Sequence, residues 1–195
     1  NFANKIWNAF RLIQSWKETE GKSGTDERDY TQVLNWFDQK LRSETAIIND
    51  HYSKYRISDV LMSVYKLVWD DFCSWYLEII KPEFGKPIDA ETYNSTIGFF
   101  ESLLKALHPF MPFITEDLWQ RLPRPASRPA SIVIAPFPTA ADGLPDAAAD
   151  QEMALLLEAI SAARTIRSEH EVHPGAQVPL ALRAHDPQVL DLFRS

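Results

Sequence analysis

The first helix predicted from the sequence carries polar side chains at helical spacing on one face. Amide and guanidinium groups hydrogen-bond base edges and phosphates, so such a face suits RNA. Asparagine is a poor residue inside a helix, and two of them lower the helix's stability by about 1 kcal/mol relative to alanine. An ordinary solvated face has the same pattern, and both interpretations stay open. The polar ridge comprises Asn4, Asn8, Arg11 and Ser15, with Lys5 beside it.

The motifs of an enzyme active site are missing from the sequence. It has no glycine-rich phosphate loop, no nucleophile elbow and no zinc-protease motif. The adjacent acids Asp70 and Asp71 project about 100° apart around a helix and do not form a catalytic pair. His170 and His173 lack the further ligands of a zinc site, which favours a solvated helix end. We therefore predict no catalytic residue, no metal site and no cofactor in this chain.

The composition is that of a folded protein, with 45% apolar residues and a net charge of −7 over 195 residues. The negative charge argues against a nucleic-acid partner. Residues 1–17, however, contain three cations and no acid, and a local basic surface is enough to bind RNA. The net negative charge also fits a helical protein–protein interaction module without an RNA partner, and this function stays open as the alternative.

Other features of the sequence indicate the cellular compartment and the kind of protein to which the chain belongs. The single cysteine, Cys73, rules out an internal disulfide and fits a reducing cytoplasm; it is expected to pack as a small apolar side chain. No apolar run reaches the roughly 20 residues that cross a bilayer, so no membrane association is expected. The chain begins at Asn1 rather than Met, and we expect it to be a piece of a longer protein.

Five helices are predicted before residue 123. Four are long and each has an apolar stripe with a period of 3.6 residues, and the short fifth is predicted from Pro112. Short connections between amphipathic helices predict an antiparallel bundle. The expected caps are Asp26, Ser58 and Asp89, with Pro112 in a first turn. The predicted helices cover residues 2–19, 26–52, 58–82, 89–107 and 112–122.

The character of the sequence changes at Pro123. Residues 123–146 are rich in proline and predict a linker with a short strand at 131–134. A sixth helix follows over about 147–169, and alternating apolar residues at 178–182 indicate a strand. The predicted fold is mainly α. Its parts are a helical bundle (1–122), the linker (123–146) and a small truncated α+β module (147–195).

Three stretches resemble the anticodon-binding domain of valyl-tRNA synthetases, which are class I aminoacyl-tRNA synthetases. Residues 4–9 (NKIWNA), with Arg11, are similar to its opening helix, and residues 72–78 (FCSWYLE) to its third helix. Residues 108–119 (HPFMPFITEDLW) resemble a motif shared by the valine, isoleucine and leucine enzymes. Weaker similarity continues through 134–138 and 166–169, so the resemblance covers essentially the whole chain in order.

The resemblance implies that the bundle binds the anticodon arm of tRNA(Val). The parent would be a valine–tRNA ligase, monomeric and cytoplasmic, using ATP with Mg in a catalytic domain that this chain contacts but does not contain. An isoleucine enzyme is the alternative within the family. Matching positions make Asn4, Lys5, Asn8 and Arg11 the expected tRNA-binding residues. Four further matches, namely Trp75, Tyr76, Pro109 and Phe113, are expected in the core.

Overall fold

Helices account for nearly all regular structure in the computed structural model, which confirms the mainly α fold class. The structure describes residues 2–17, 29–82, 86–123, 125, 128–139, 147–173, 175–179, 181 and 183. They fall into two compact units, 1–145 and 146–195. The first unit contains α1 (Phe2–Lys17), α2 (Thr31–Ser53), α3 (Ile57–Lys66), a π-helical segment (Leu67–Tyr76), α4 (Leu77–Ile80), α5 (Ala90–Leu107) and α6 (Pro112–Arg121). The second contains α7 (Ala147–Glu169).

The strand predicted at 131–134 is wrong, because this stretch forms a short 3₁₀ turn, Ile132–Ile134. Glu116 of α6 explains the difference. Its Oε2 accepts hydrogen bonds from the Ile132 amide (3.0 Å) and the Ser131 hydroxyl (2.8 Å), which engages an amide that a strand ladder would use. None of the described residues lies in a strand. Positions 180 and 182 of the second predicted strand lie outside them, so the α+β module at 147–195 stays a prediction.

An aromatic cluster joins four elements in the core of the first unit. Phe37 of α2 lies 4.6 Å, centroid to centroid, from Tyr76 of the π-helical segment. Phe72 lies 5.8 Å from Phe100 of α5, and Phe10 of α1 lies 6.4 Å from Phe100. All five side chains are almost completely buried. Burying large aromatic side chains supplies most of the driving force for folding, so these contacts hold the bundle together.

The buried Tyr76 hydroxyl has its hydrogen-bonding needs met inside the core. The hydroxyl of Thr96 donates its proton to the Thr92 carbonyl at 2.7 Å. Because that proton is used, the Thr96 oxygen accepts the hydrogen bond from the Tyr76 hydroxyl at 2.8 Å. Burial raises the pKa of Tyr76 above its ordinary value. The hydroxyl therefore serves as a neutral donor that sets the register of the π-helical segment against α5.

Three cap residues were predicted from the sequence, and one of them, Asp89, is confirmed. Asp89 caps α5 as predicted, since its Oδ1 accepts from the Thr92 amide at 2.8 Å. The second helix begins at Thr31 rather than near Asp26, which lies outside the described residues; Asp29 accepts from the Thr31 amide at 2.9 Å. The residue preceding α3 is Arg56, without a side-chain cap, so Ser58 is not the cap we predicted.

The turn between α5 and α6 is closed by a histidine–threonine pair. Thr115 donates its hydroxyl proton to the Met111 carbonyl (2.8 Å), so it accepts from Nδ1 of His108 at 2.7 Å. Pro112 occupies the first turn of α6, as predicted, where a missing amide proton costs nothing. The motif at 108–119 thus has a structural role in the hairpin.

A half-buried acid lies where α2 packs against the π-helical segment. The Asp71 carboxylate is 3.9 Å from the Lys40 ammonium, which also contacts Glu44 at 3.3 Å. Burial raises the pKa of Asp71 to about 6, against the opposing effect of Lys40. The folded state therefore binds this proton more tightly than the unfolded chain, in which the carboxyl has its ordinary pKa of 3.8.

Asp71→Asn is expected to stabilise the chain at neutral pH. Ionised Asp71 disfavours folding, so the wild type loses stability as the pH rises from about 4 to about 6, and the variant does not. We expect a gain on the order of 1 kcal/mol at pH 7.5, after allowing for solvent screening, that vanishes near pH 3.5. Urea unfolding across this pH range measures it. The exposed neighbour Asp70, changed to Asn, is the control; equal behaviour of the two variants contradicts the assignment.

Candidate RNA-binding surface

The polar ridge of α1 faces solvent, opposite the side that enters the core. Asn4, Asn8 and Arg11 are all exposed, whereas the other face of the helix is buried. None of these three side chains has a hydrogen-bond partner among the described residues. The structure therefore brings together three of the four predicted RNA-binding residues with their polar groups available. The buried face comprises Ile6, Ala9, Phe10, Ile13 and Trp16.

Lys5 occupies the flank of α1 and is engaged within the bundle. Its ammonium donates to the Ser74 hydroxyl at 2.8 Å and lies 4.1 Å from the centre of the Trp69 ring. Ser74 in turn donates to the Trp69 carbonyl at 2.8 Å. A cation over an indole face is stabilised by the ring quadrupole. Lys5 thus ties α1 to the π-helical segment, which sets it apart from the ridge.

An aromatic stack lies beside Lys5 at the start of α1. Phe2 is 5.0 Å from Tyr65 and 5.9 Å from Trp69, and the two latter rings are 5.7 Å apart, all nearly parallel. Tyr65 is partly exposed to solvent. Sequence reasoning missed this group because Phe2 is distant in the chain; the spacing of Tyr65 and Trp69 by four residues was the available signal.

The other flank of α1 contacts the end of α6. The guanidinium carbon of Arg121 lies 5.4 Å from the Trp7 ring centre, and Trp7 lies 5.9 Å from Phe10. Trp7 is half-buried rather than fully within the core. Packed contacts therefore hold α1 on both flanks of the ridge, which fixes the orientation of the helix.

Four residues of the family motifs were expected in the core, and the structure places one of them fully there, one partly and two outside. They are Tyr76, Trp75, Pro109 and Phe113. Tyr76 is completely buried, and Trp75 is half-buried. Pro109 is exposed, and the Phe113 side chain is 91% exposed, so placing them in the core was wrong. The reason is geometric: Phe113 lies in the first turn of α6, whose buried face is formed by residues 115, 118 and 119.

Phe113 belongs to a larger exposed apolar patch. Glu116, one turn further along α6, holds the 3₁₀ turn, in which Val133 and Ile134 are 70% and 69% exposed. Residues three apart lie on the same side of a helix, so Phe113 and the 3₁₀ turn are on the same side of α6. We call Phe113, Val133 and Ile134 the α6 patch. Three large apolar side chains this exposed on one side of a helix make it a candidate interaction surface.

Another unusual exposed residue lies at the hairpin between α2 and α3. Tyr55 has a φ of 57° and a side chain 89% exposed. The Arg56 amide donates to the His51 carbonyl (2.9 Å) and the Tyr55 amide to the Tyr52 carbonyl (3.0 Å), a Schellman cap. Glycine is favoured at this position, and the left-handed conformation costs other residues about 1 kcal/mol or more.

The remaining chemistry is unfavourable for catalysis. Burial raises the pKa of the Cys73 thiol to about 11, so the thiolate that would act as a nucleophile is scarce at neutral pH. A groove of about 430 Å³ between α2 and α5 is lined by Asp38 and Glu91 and repels phosphate. Within the described residues, no three acidic, histidine or cysteine side chains are placed to hold a metal ion.

Comparison with known proteins gives consistent matches. A family model described as the anticodon-binding domain of tRNA ligase matches residues 34–182. A valine–tRNA ligase of Porphyromonas gingivalis is 54% identical over 122 residues, covering 63% of this chain and 14% of that protein. One of Christiangramia forsetii is 43% identical over 171 residues, covering 88% and 19%. One of Bacteroides fragilis is 44% identical over 186 residues, covering 94% and 20%.

The chain spans about a fifth or less of the length of these curated relatives. None of its described helices is both long and apolar enough to cross a membrane. The family model's match begins at residue 34, inside α2, and extends past α7, so α1 lies outside it. The similarity to the Bacteroides fragilis protein covers most of the chain.

Proposed function

Because the chain belongs to the family of anticodon-binding domains of tRNA ligases, we propose that it binds the anticodon arm of tRNA(Val) within a valine–tRNA ligase. The names of its relatives support the choice of valine. The observation that carries the proposal is the exposed ridge of Asn4, Asn8 and Arg11 on α1. Anticodon loops present unstacked bases whose edges such side chains read.

The ridge offers complementary chemistry for a loop of RNA. Each asparagine amide supplies both donors and an acceptor, which can pair with a base edge, and Arg11 supplies donors with a positive charge for a phosphate. In the proposed complex Lys5 acts as a positioning residue, since its contacts with Ser74 and Trp69 fix the orientation of α1. Its charge still adds to the local positive potential.

The catalytic work belongs to other parts of the proposed parent. The sequence lacks a phosphate-binding motif that fits ATP, so ATP and Mg are assigned to a catalytic domain outside this chain. We propose that this domain covers the α6 patch, because a protein several times longer than this chain has the surface to do so. The proposed parent is a monomeric, cytoplasmic enzyme.

Arg11→Ala is expected to weaken tRNA(Val) binding about tenfold at low salt through loss of a charge-assisted contact. The slope of log affinity against log salt should fall by about one. Fluorescence anisotropy with the 195-residue chain measures both. In the full-length parent, aminoacylation should fall while valine-dependent ATP–pyrophosphate exchange is retained.

Arg42→Ala is the control, since it removes another exposed arginine, which pairs with Asp38 along α2. It should leave tRNA affinity unchanged. Equal losses for the two variants, or equal loss of both parental activities, contradict the role of Arg11. Preference of the parent for tRNA(Ile) supports the isoleucine enzyme instead. Absence of tRNA binding by chain and parent alike favours the protein-interaction alternative.

A further inference from the structure

The turn between α2 and α3 holds a tyrosine in a backbone conformation that is unfavourable for residues other than glycine. Tyr55 adopts a φ of 57° in a Schellman cap, where glycine fits without strain. A tyrosine in this conformation costs about 1 kcal/mol relative to glycine, a cost that contacts elsewhere can offset. Backbone strain of this kind clusters at functional positions.

Packing within the bundle does not provide that compensation. The Tyr55 side chain is 89% exposed, the second highest value among the exposed large apolar residues described. It forms no ring contact with another described residue. Its neighbour Tyr52, by comparison, packs edge-on against Phe137 at 5.5 Å. The ring of Tyr55 is therefore held away from the protein, with both faces open.

The groups around this ring determine which partner it suits. Asp50 holds the Lys54 ammonium at 2.7 Å, whereas the Arg56 guanidinium has no ion-pair partner among the described residues. Asp59, exposed in the first turn of α3, balances the charge, so general attraction for a polyanion is weak here. An open aromatic face with an adjacent guanidinium is instead suited to stacking on an unpaired nucleobase.

We propose that Tyr55 stacks on an unpaired base of the tRNA, with Arg56 on the adjoining phosphate or base face. The proposal rests on the tRNA-binding function above and adds a second contact to it. The ten residues of α3 separate the hairpin from the stack of Phe2, Tyr65 and Trp69 near the start of α1. At 1.5 Å per residue this is about 15 Å, which a single RNA arm can span.

The test exploits the opposed effects of Tyr55→Gly on folding and binding. Removing the strain should raise the Tm of the chain by about 3 °C. Losing the stacked ring should lower the affinity for a tRNA(Val) transcript about tenfold at low salt. Tyr55→Phe keeps the ring and should bind within about twofold of the wild type. A stabilised variant with weaker binding cannot be explained by partial unfolding.

Glu171→Gly is the matched control, because Glu171 has a φ of 50° in an equivalent cap after α7 but no ring. It should leave tRNA affinity unchanged. Wild-type affinity of Tyr55→Gly, with Arg11→Ala still impaired, overturns the inference and leaves the proposed function intact. If Tyr55→Gly destabilises the full-length parent and leaves its tRNA affinity unchanged, Tyr55 contacts protein instead of RNA. That result also overturns the inference and leaves the proposed function intact. If the wild-type chain and its parent bind no tRNA, the proposed function fails first.

Discussion

Arg128→Ala is expected to lower the free energy of unfolding by about 3 kcal/mol, because it breaks a buried ion pair. The Arg128 side chain is 4% exposed and lies 3.2 Å from the Glu101 carboxylate. Its guanidinium stacks on the Trp119 ring at 4.0 Å and donates to the Pro123 carbonyl at 2.8 Å. It also donates to the carbonyls of Leu122 and Trp119. Urea unfolding followed by circular dichroism measures the loss.

Two comparisons separate these contributions. Arg128→Lys keeps the charge but loses the planar fork and the stacking, so we expect a loss of about 2 kcal/mol. Burial raises the pKa of Glu101, and Arg128 opposes that effect. In the alanine variant the pKa of Glu101 should rise further, so the loss should shrink at acidic pH as Glu101 takes up its proton. A loss below about 0.5 kcal/mol at pH 7 contradicts the buried role of Arg128.

The sequence alone does not predict this arrangement. Proline-rich composition indicated a linker over 123–146, yet its residues 128–135 pack on α6 through side-chain contacts. Arg128 bonds main-chain carbonyls, and Glu116 takes the amide of Ile132. Such contacts depend on tertiary geometry, for which composition has no signal. The strand prediction at 131–134 failed for the same reason.

The bundle, in contrast, was predictable because each helix has its own local signal. The α5 stripe and its Asp89 cap identify that helix without reference to its neighbours. Pro112 similarly marks the start of α6. The ten-residue π-helical segment, Leu67–Tyr76, was not anticipated, since π-helical turns are rare and an apolar stripe does not distinguish them from α-helical ones.

The candidate site was predictable only in part. Spacing placed Asn4, Asn8 and Arg11 on one outward face, as observed. The same spacing did not show that Ser74 and Trp69 engage Lys5, because both lie more than sixty residues away in the chain. Tyr55 gave no sequence signal either, since an unfavourable φ is visible only in the folded backbone.

Phenylalanines illustrate how burial must be read from the structure. Phe37 and Phe113 both fall in helices that the sequence predicts, and both are large apolar residues. Phe37 is completely buried and contacts the rings of Tyr76 at 4.6 Å and Phe99 at 5.1 Å. Phe113 is 91% exposed on the α6 patch. The same substitution at the two positions therefore separates core packing from surface exposure.

Phe37→Ala should lower the free energy of unfolding of the chain by about 4 kcal/mol, through lost burial and the cavity left behind. Phe113→Ala should change it by less than about 0.5 kcal/mol, since it removes no internal contact of consequence. Urea unfolding of both variants measures this contrast. In the full-length parent, Phe113→Ala should become destabilising, because the proposed catalytic domain covers that ring. Equal unfolding free energies for wild type and Phe113→Ala in the parent would show that the α6 patch is not its contact.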